Sequence, residues 1–112
     1  MTSEEQHKVK IYVNRFAHKQ KGKTKSEILM QSIIKISQRA TYLKGKYNPS
    51  DVLTGQANCQ GYSLMLYLML TKSNVGCKVV YNETHMWNMV KIGDQWQKVD
   101  LTAMDRYLYV KY

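Results

Sequence analysis

Gln56-Ala57-Asn58-Cys59-Gln60-Gly61-Tyr62-Ser63 opens into Leu64-Met65-Leu66-Tyr67-Leu68-Met69-Leu70, and this stretch decides how the rest of the chain is arranged. From Cys59 to about Ser73 apolar residues stand on nearly every side rather than in one stripe, which predicts a helix buried in the middle of a small domain. Asn74 and Gly76 stop it. Cys59 therefore begins a helix. A helix N-terminus with an imidazole nearby is the environment in which a thiol becomes a nucleophile, and the local sequence supplies the first half of it.

A helix buried all round needs elements on all sides. Downstream, the runs Cys77 to Tyr81, His85 to Ile92, Gln95 to Leu101 and Arg106 to Lys111 are rich in Val, Ile, Tyr and Trp and predict antiparallel strands. Gly93-Asp94 is a two-residue connection in which Gly at the first central position fits a type II′ turn. With those two residues in the turn, opposite positions sum to 187, so Trp87 faces Asp100 and His85 faces Thr102. His85 and Asp100 then lie diagonally on one sheet face, within about 7 to 8 Å at the backbone, close enough for a carboxylate to accept an imidazole proton. Such a carboxylate fixes the ring's tautomer and stabilises the imidazolium.

Upstream, Lys46 to Asn58 holds the only proline, Pro49, among Asn48, Ser50, Asp51, Thr54 and Gly55, and reads as a connecting loop. Before it a helix is expected from Ser26 as cap to near Gly45, with Ile28, Leu29, Ile33, Ile36, Ala40 and Leu43 at helical spacing. Val9, Ile11 and Val13 alternate with Lys8, Lys10 and Tyr12, the period of a half-buried strand, which a short helix fits nearly as well. From His18 to Lys25, lysines 19, 21, 23 and 25 alternate around Gln20, Gly22 and Thr24 with no apolar face, as in a solvated loop. Residues 1–25 thus read as a basic N-terminal strand and loop.

Composition bounds the rest. A chain of 112 residues, 44% hydrophobic and 22% charged, with one Pro and six Gly, makes one globular domain over residues 1–112 and excludes disordered and collagen-like classes. No apolar run approaches the ~20 residues of a membrane span, and Met1 to Gln20 has no signal-peptide core, which leaves the cytoplasm as the default compartment. Two cysteines make neither a disulfide framework nor a zinc site, and no metal or organic cofactor is implied. Cys77, at the start of an apolar strand, reads as core filling. The net charge of +9 is uneven: residues 1–50 carry eleven basic and three acidic side chains, and the remainder six and five. Such a balance favours acidic or polyanionic surroundings.

Three separate segments agree on a family. Gln56 to Ser63, then His85-Met86-Trp87-Asn88, then Trp96-Gln97-Lys98-Val99-Asp100-Leu101-Thr102 resemble the core of the transglutaminase-like superfamily, in order and in spacing. The match covers residues 47–102. It departs from the family at Gln97, where an aromatic is frequent, and at Ala103 and Met104, where Trp or Asp often follows the Thr.

The resemblance implies an α+β, papain-like core in which the Cys helix packs on an antiparallel sheet of about four strands. It also implies Cys59 as nucleophile, His85 as general base and acid, and Asp100 as the residue that orients His85. The Cys59 amide is the expected oxyanion donor, with Gln56, Asn58 or Gln60 as candidates for a second. Tyr62, Trp87 and Trp96 are expected in the core or cleft wall. The implied activity is acyl transfer from an amide or peptide carbonyl through a thioester, to water in a cysteine peptidase or amidase, or to an amine in a transglutaminase. The substrate would be a peptide or protein. The alternative is a non-catalytic binding module of the same fold that holds a polyanion with its basic N-terminal half, Lys19, Lys21, Lys23 and Lys25 being the candidates for an anionic surface.

Overall fold

The computed structural model describes residues 1–102. Four helices run along it in order: α1 (Ser3–Lys19), α2 (Lys25–Arg39), α3 (Pro49–Thr54) and α4 (Cys59–Lys72). Two short strands, β1 (Thr41–Tyr42) and β2 (Gln56–Ala57), pair in parallel, while β3 (Cys77–Tyr81), β4 (Met86–Ile92) and β5 (Gln95–Val99) form an antiparallel sheet in the order β3-β4-β5. The class is α+β, with three strands in the antiparallel sheet among the described residues; the fourth expected strand, Arg106 to Lys111, lies outside them. No helix among the described residues is long and apolar enough to cross a membrane.

The N-terminal strand expected over Lys8 to Phe16 is instead the middle of α1. The residues it buries are Val9, Val13 and Phe16, spaced four and three apart, while Ile11 faces outward. That helical stripe competes with the period-2 pattern of Val9, Ile11 and Val13, and the cap decides between them. Thr2 accepts from the Glu5 N–H at 3.1 Å and Glu5 returns a bond to the Thr2 N–H at 2.8 Å, a reciprocal box that satisfies two orphan donors and starts a helix. The Thr2 backbone N–H, and after it the Thr2 hydroxyl, hold the Glu5 carboxyl below its usual pKa.

Helix α2 is capped by Thr24 with Glu27, two residues before the Ser26 expected from the sequence. It ends at Arg39 rather than near Gly45, because Ala40 turns to extended backbone and β1 then pairs with β2. The supposed loop at Pro49 contains α3: proline begins it, where its missing N–H costs nothing, and Gly55 at φ +107° ends it.

The buried helix is found where its composition places it. α4 touches α1, α2, α3, β3 and β4, and buries Tyr62, Met65, Leu66, Met69 and Leu70. Each such side chain is worth about 1.5–3 kcal/mol of burial, so this helix is the core. Asn74, at φ +63°, turns the chain out of it and into Val75 and β3.

Candidate active site

Cys59 is the first residue of α4, and the sequence around it explains why the helix starts there. The Asn58 side-chain oxygen accepts from the Gln60 and Gly61 N–H groups, both at 3.1 Å, and the Asn58 N–H donates to the Lys46 carbonyl at 2.8 Å. Of the donors orphaned at this end, Cys59 N–H alone is left with no hydrogen-bond partner among the described residues. Gly61 makes the tight start possible: a Cβ there would lie 2.9 Å from the Lys46 carbonyl oxygen and 3.0 Å from both the Asn48 carbonyl oxygen and the Ala57 Cβ. The loop before α4 thus lies directly on its first turn.

The hairpin has the register that the two-residue turn dictates. Ile92 pairs with Gln95, Val90 with Gln97 and Asn88 with Val99. Gly93 has φ +63° and Asp94 does not have positive φ, as in a II′ turn. His85 stands just before β4 and Asp100 just after β5, and His85 Nε2 lies 2.7 Å from Asp100 Oδ2. An ionised carboxylate only accepts, so Nε2 carries the proton and, in the neutral ring, Nδ1 keeps its lone pair. The pair is partly sheltered, with side-chain exposures of 31% for His85 and 18% for Asp100.

The His85 ring stacks on Trp87, with centroids 6.0 Å apart and planes at 24°. Lys98 sits 4.9 Å from the Trp87 ring centre, on the same face, and Lys78 sits 4.1 Å from that of Trp96. Trp87 therefore walls the site beside His85, while Trp96, 38% exposed, stands farther along the sheet. Tyr62 is in the core, 1% exposed. Of the oxyanion candidates, Asn58 is committed through its oxygen to the helix cap, Gln56 lies exposed on β2, and Gln60 is half-buried in the first turn of α4. His85 and Asp100 are brought together by a hydrogen bond, whereas Cys59 is related to them through α4 lying on β4.

One residue that joins those elements carries more than its place in a motif suggests. Asn88, 1% exposed, points away from His85, its amide donating to the Ser63 carbonyl in α4 at 3.0 Å and lying 3.5 Å from the Cys77 sulfur. It pins the Cys helix to the His strand. The sequence signal for it is a carboxamide one residue beyond Trp87, out of phase with His85 in the strand alternation. Burial pushes the Cys77 thiol up to about 11, opposed by the Asn88 contact, which leaves it unreactive at neutral pH. Among the described residues no group of three His, Cys, Asp or Glu could hold a metal ion.

No curated protein matches the chain. A family model does: it is that of the transglutaminase-like superfamily, and it aligns with residues 12–101, well beyond the segments that carry the three motifs. The match covers most of the sequence and takes in Cys59, His85 and Asp100, so the chain belongs to the transglutaminase-like superfamily, a group typified by cysteine-dependent acyltransferases and peptidases.

Proposed function

We propose that this protein is a thiol-dependent acyl-transfer enzyme with Cys59 as nucleophile, His85 as general base and acid, and Asp100 as its orienting carboxylate. The observation that supports this reading most is the 2.7 Å contact between His85 Nε2 and Asp100 Oδ2, because it fixes the tautomer with Nδ1 as the basic nitrogen. In this reading Nδ1 takes the proton of the Cys59 thiol and sulfur attacks the carbonyl carbon of an amide. The oxyanion that forms is met by the Cys59 N–H, the amide left over by the Asn58 cap. As the C–N bond breaks, the imidazolium returns its proton to the leaving amine and a thioester remains on Cys59. Water or a second amine then attacks the thioester, giving up a proton to His85 and releasing the thiol, with an acid or a new amide as product.

The same thioester serves hydrolysis and cross-linking, which differ only in the acceptor that attacks it. Cys59→Ala and His85→Ala test the reading, with both outcomes followed: hydrolysis of a fluorogenic peptide and incorporation of a fluorescent amine into a glutamine-bearing protein. Each variant is expected to keep the circular dichroism spectrum and lose at least a hundredfold in whichever activity the parent shows. A variant that retains most of that activity removes its residue from the mechanism.

A further inference from the structure

The basic residues of the first half of the chain have no part in acyl transfer, and the fold arranges them. Three clefts open beside α1, two on the flank of Lys8, Tyr12, Arg15 and Lys19 and the third on the opposite flank, of Asn14, Ala17 and Lys21, toward the C-terminal end of the helix. One of about 380 Å³ is lined by Tyr12, Arg15 and Arg39 among others, with Lys8 at its far end. A second, about 240 Å³, shares those three residues and adds Lys19 and Lys35. The third, about 500 Å³, meets the second at Gln20 and adds His18, Lys21, Lys23 and Lys72. No Asp or Glu lines any of the three. Acids stand at the two ends of this track: Glu4 lies 3.3 Å from Lys8, and Glu27 precedes Ile28, which lines the third cleft.

The track is long and its cations are held apart. From Lys8 to Lys19 one flank of α1 gives it about 16 Å at 1.5 Å per residue, and it turns round the C-terminal end of the helix, past Gln20, to reach Lys21 and Lys23. Arg39 lies over the Tyr12 ring at 5.3 Å and donates to the Leu53 carbonyl at 3.4 Å, which sets its fork beside Arg15. Gln20 is only 5% exposed at the junction of two clefts; its Nε2 donates to the Phe16 carbonyl at 3.2 Å, and its Oε1 has no partner among the described residues. Cations grouped without acids repel one another unless an anion neutralises them. A single small anion would occupy one cleft and leave the others unneutralised, so the geometry suits a chain of anions. Guanidinium forks and ammonium groups are the usual partners of phosphate.

We propose that this track binds a linear phosphate polyanion, at a site separate from Cys59. Lys72 and Cys59 stand at opposite ends of α4, about 20 Å apart along its axis. The run of four lysines divides accordingly: Lys19, Lys21 and Lys23 line the track, whereas Lys25 lines none of the three clefts.

The test is fluorescence anisotropy of a labelled single-stranded oligothymidylate against the full chain at rising salt, with inorganic polyphosphate as competitor. Two triple variants with equal charge loss, all at exposed positions, are compared: Lys19→Gln/Lys21→Gln/Lys23→Gln on the track, and Lys44→Gln/Lys46→Gln/Lys91→Gln off it. The track variant is expected to bind about tenfold more weakly at low salt. Its log K against log salt should be shallower by about 2, the slope of three phosphate contacts on a single strand, while the other triple changes affinity less than about twofold. Displacement by polyphosphate identifies the phosphate chain as what is bound, and failure to displace means that the bases are held instead, which contradicts the proposal. Equal weakening by both triples, no binding at low salt, or binding of phosphatidylglycerol vesicles without binding of the oligonucleotide would each overturn it.

Discussion

His85 and Asp100 are fifteen residues apart in sequence and 2.7 Å apart in space, and the whole of that approach follows from one two-residue turn. Because Asp100 holds Nε2, replacing it with Asn should leave the fold intact and favour the wrong tautomer, with turnover reduced on the order of a hundredfold in steady-state assays. A loss below about threefold would take Asp100 out of the mechanism. Asn88 would not be its substitute, since it faces the core. The two thiols separate as cleanly. With Cys77 held up to about 11, roughly one part in a thousand is thiolate at pH 8, so iodoacetamide followed by peptide mass mapping should label Cys59 and spare Cys77. Labelling of both at equal rates would mean that burial does not protect Cys77. The raised value also fixes a sign: above the ordinary thiol range the unfolded chain gives up a proton that native Cys77 keeps, so stability falls as pH climbs toward about 11. Chemical denaturation across that range should show a smaller fall in Cys77→Val.

At the scale of elements, what could be read from sequence depended on whether one signal stood alone. α4 was legible because apolar residues surround it and no strand runs that long; the hairpin was legible because Gly93-Asp94 admits one register. α1 was not, because Val9, Ile11 and Val13 alternate while Val9, Val13 and Phe16 recur at helical spacing, and only the Thr2-Glu5 capping box, outside the ambiguous window, breaks the tie. α3 was hidden by turn-forming residues that also make a good short helix: Pro49 at its start, Asp51 in its first turn, Gly55 at its end. The role of Gly61 is likewise invisible in one dimension, since its neighbours Lys46 and Asn48 are brought to it by the loop. Gly61→Ala should destabilise by about 1–3 kcal/mol, read as a drop in thermal midpoint, because two of the atoms its Cβ would meet are backbone oxygens. Gly22→Ala, with open space around it and strain from φ +82° alone, should cost less. A reversed order would mean that the loop yields to the methyl group.

Over the whole molecule, one helix lies among all the others and carries Cys59 at one end and Lys72 at the other, so the two ends can serve different chemistry without sharing residues. Three motifs in one order point to Cys59, His85 and Asp100, and the approach of His85 to Asp100 was legible in the hairpin, whereas the clefts that gather the lysines depend on α1 being a helix and could not be drawn while residues 1–25 read as strand and loop. The central claim is that Cys59 forms an acyl-enzyme with the help of His85. The most direct measurement is mass spectrometry of the protein after brief exposure to an activated ester such as p-nitrophenyl acetate, with the adduct mapped to its peptide. The account predicts an acetyl group on the Cys59 peptide in the parent, none there in Cys59→Ala, and acylation slowed by at least a hundredfold in His85→Ala; an adduct that forms on Cys77 instead, or on Cys59 at the parental rate without His85, would contradict it.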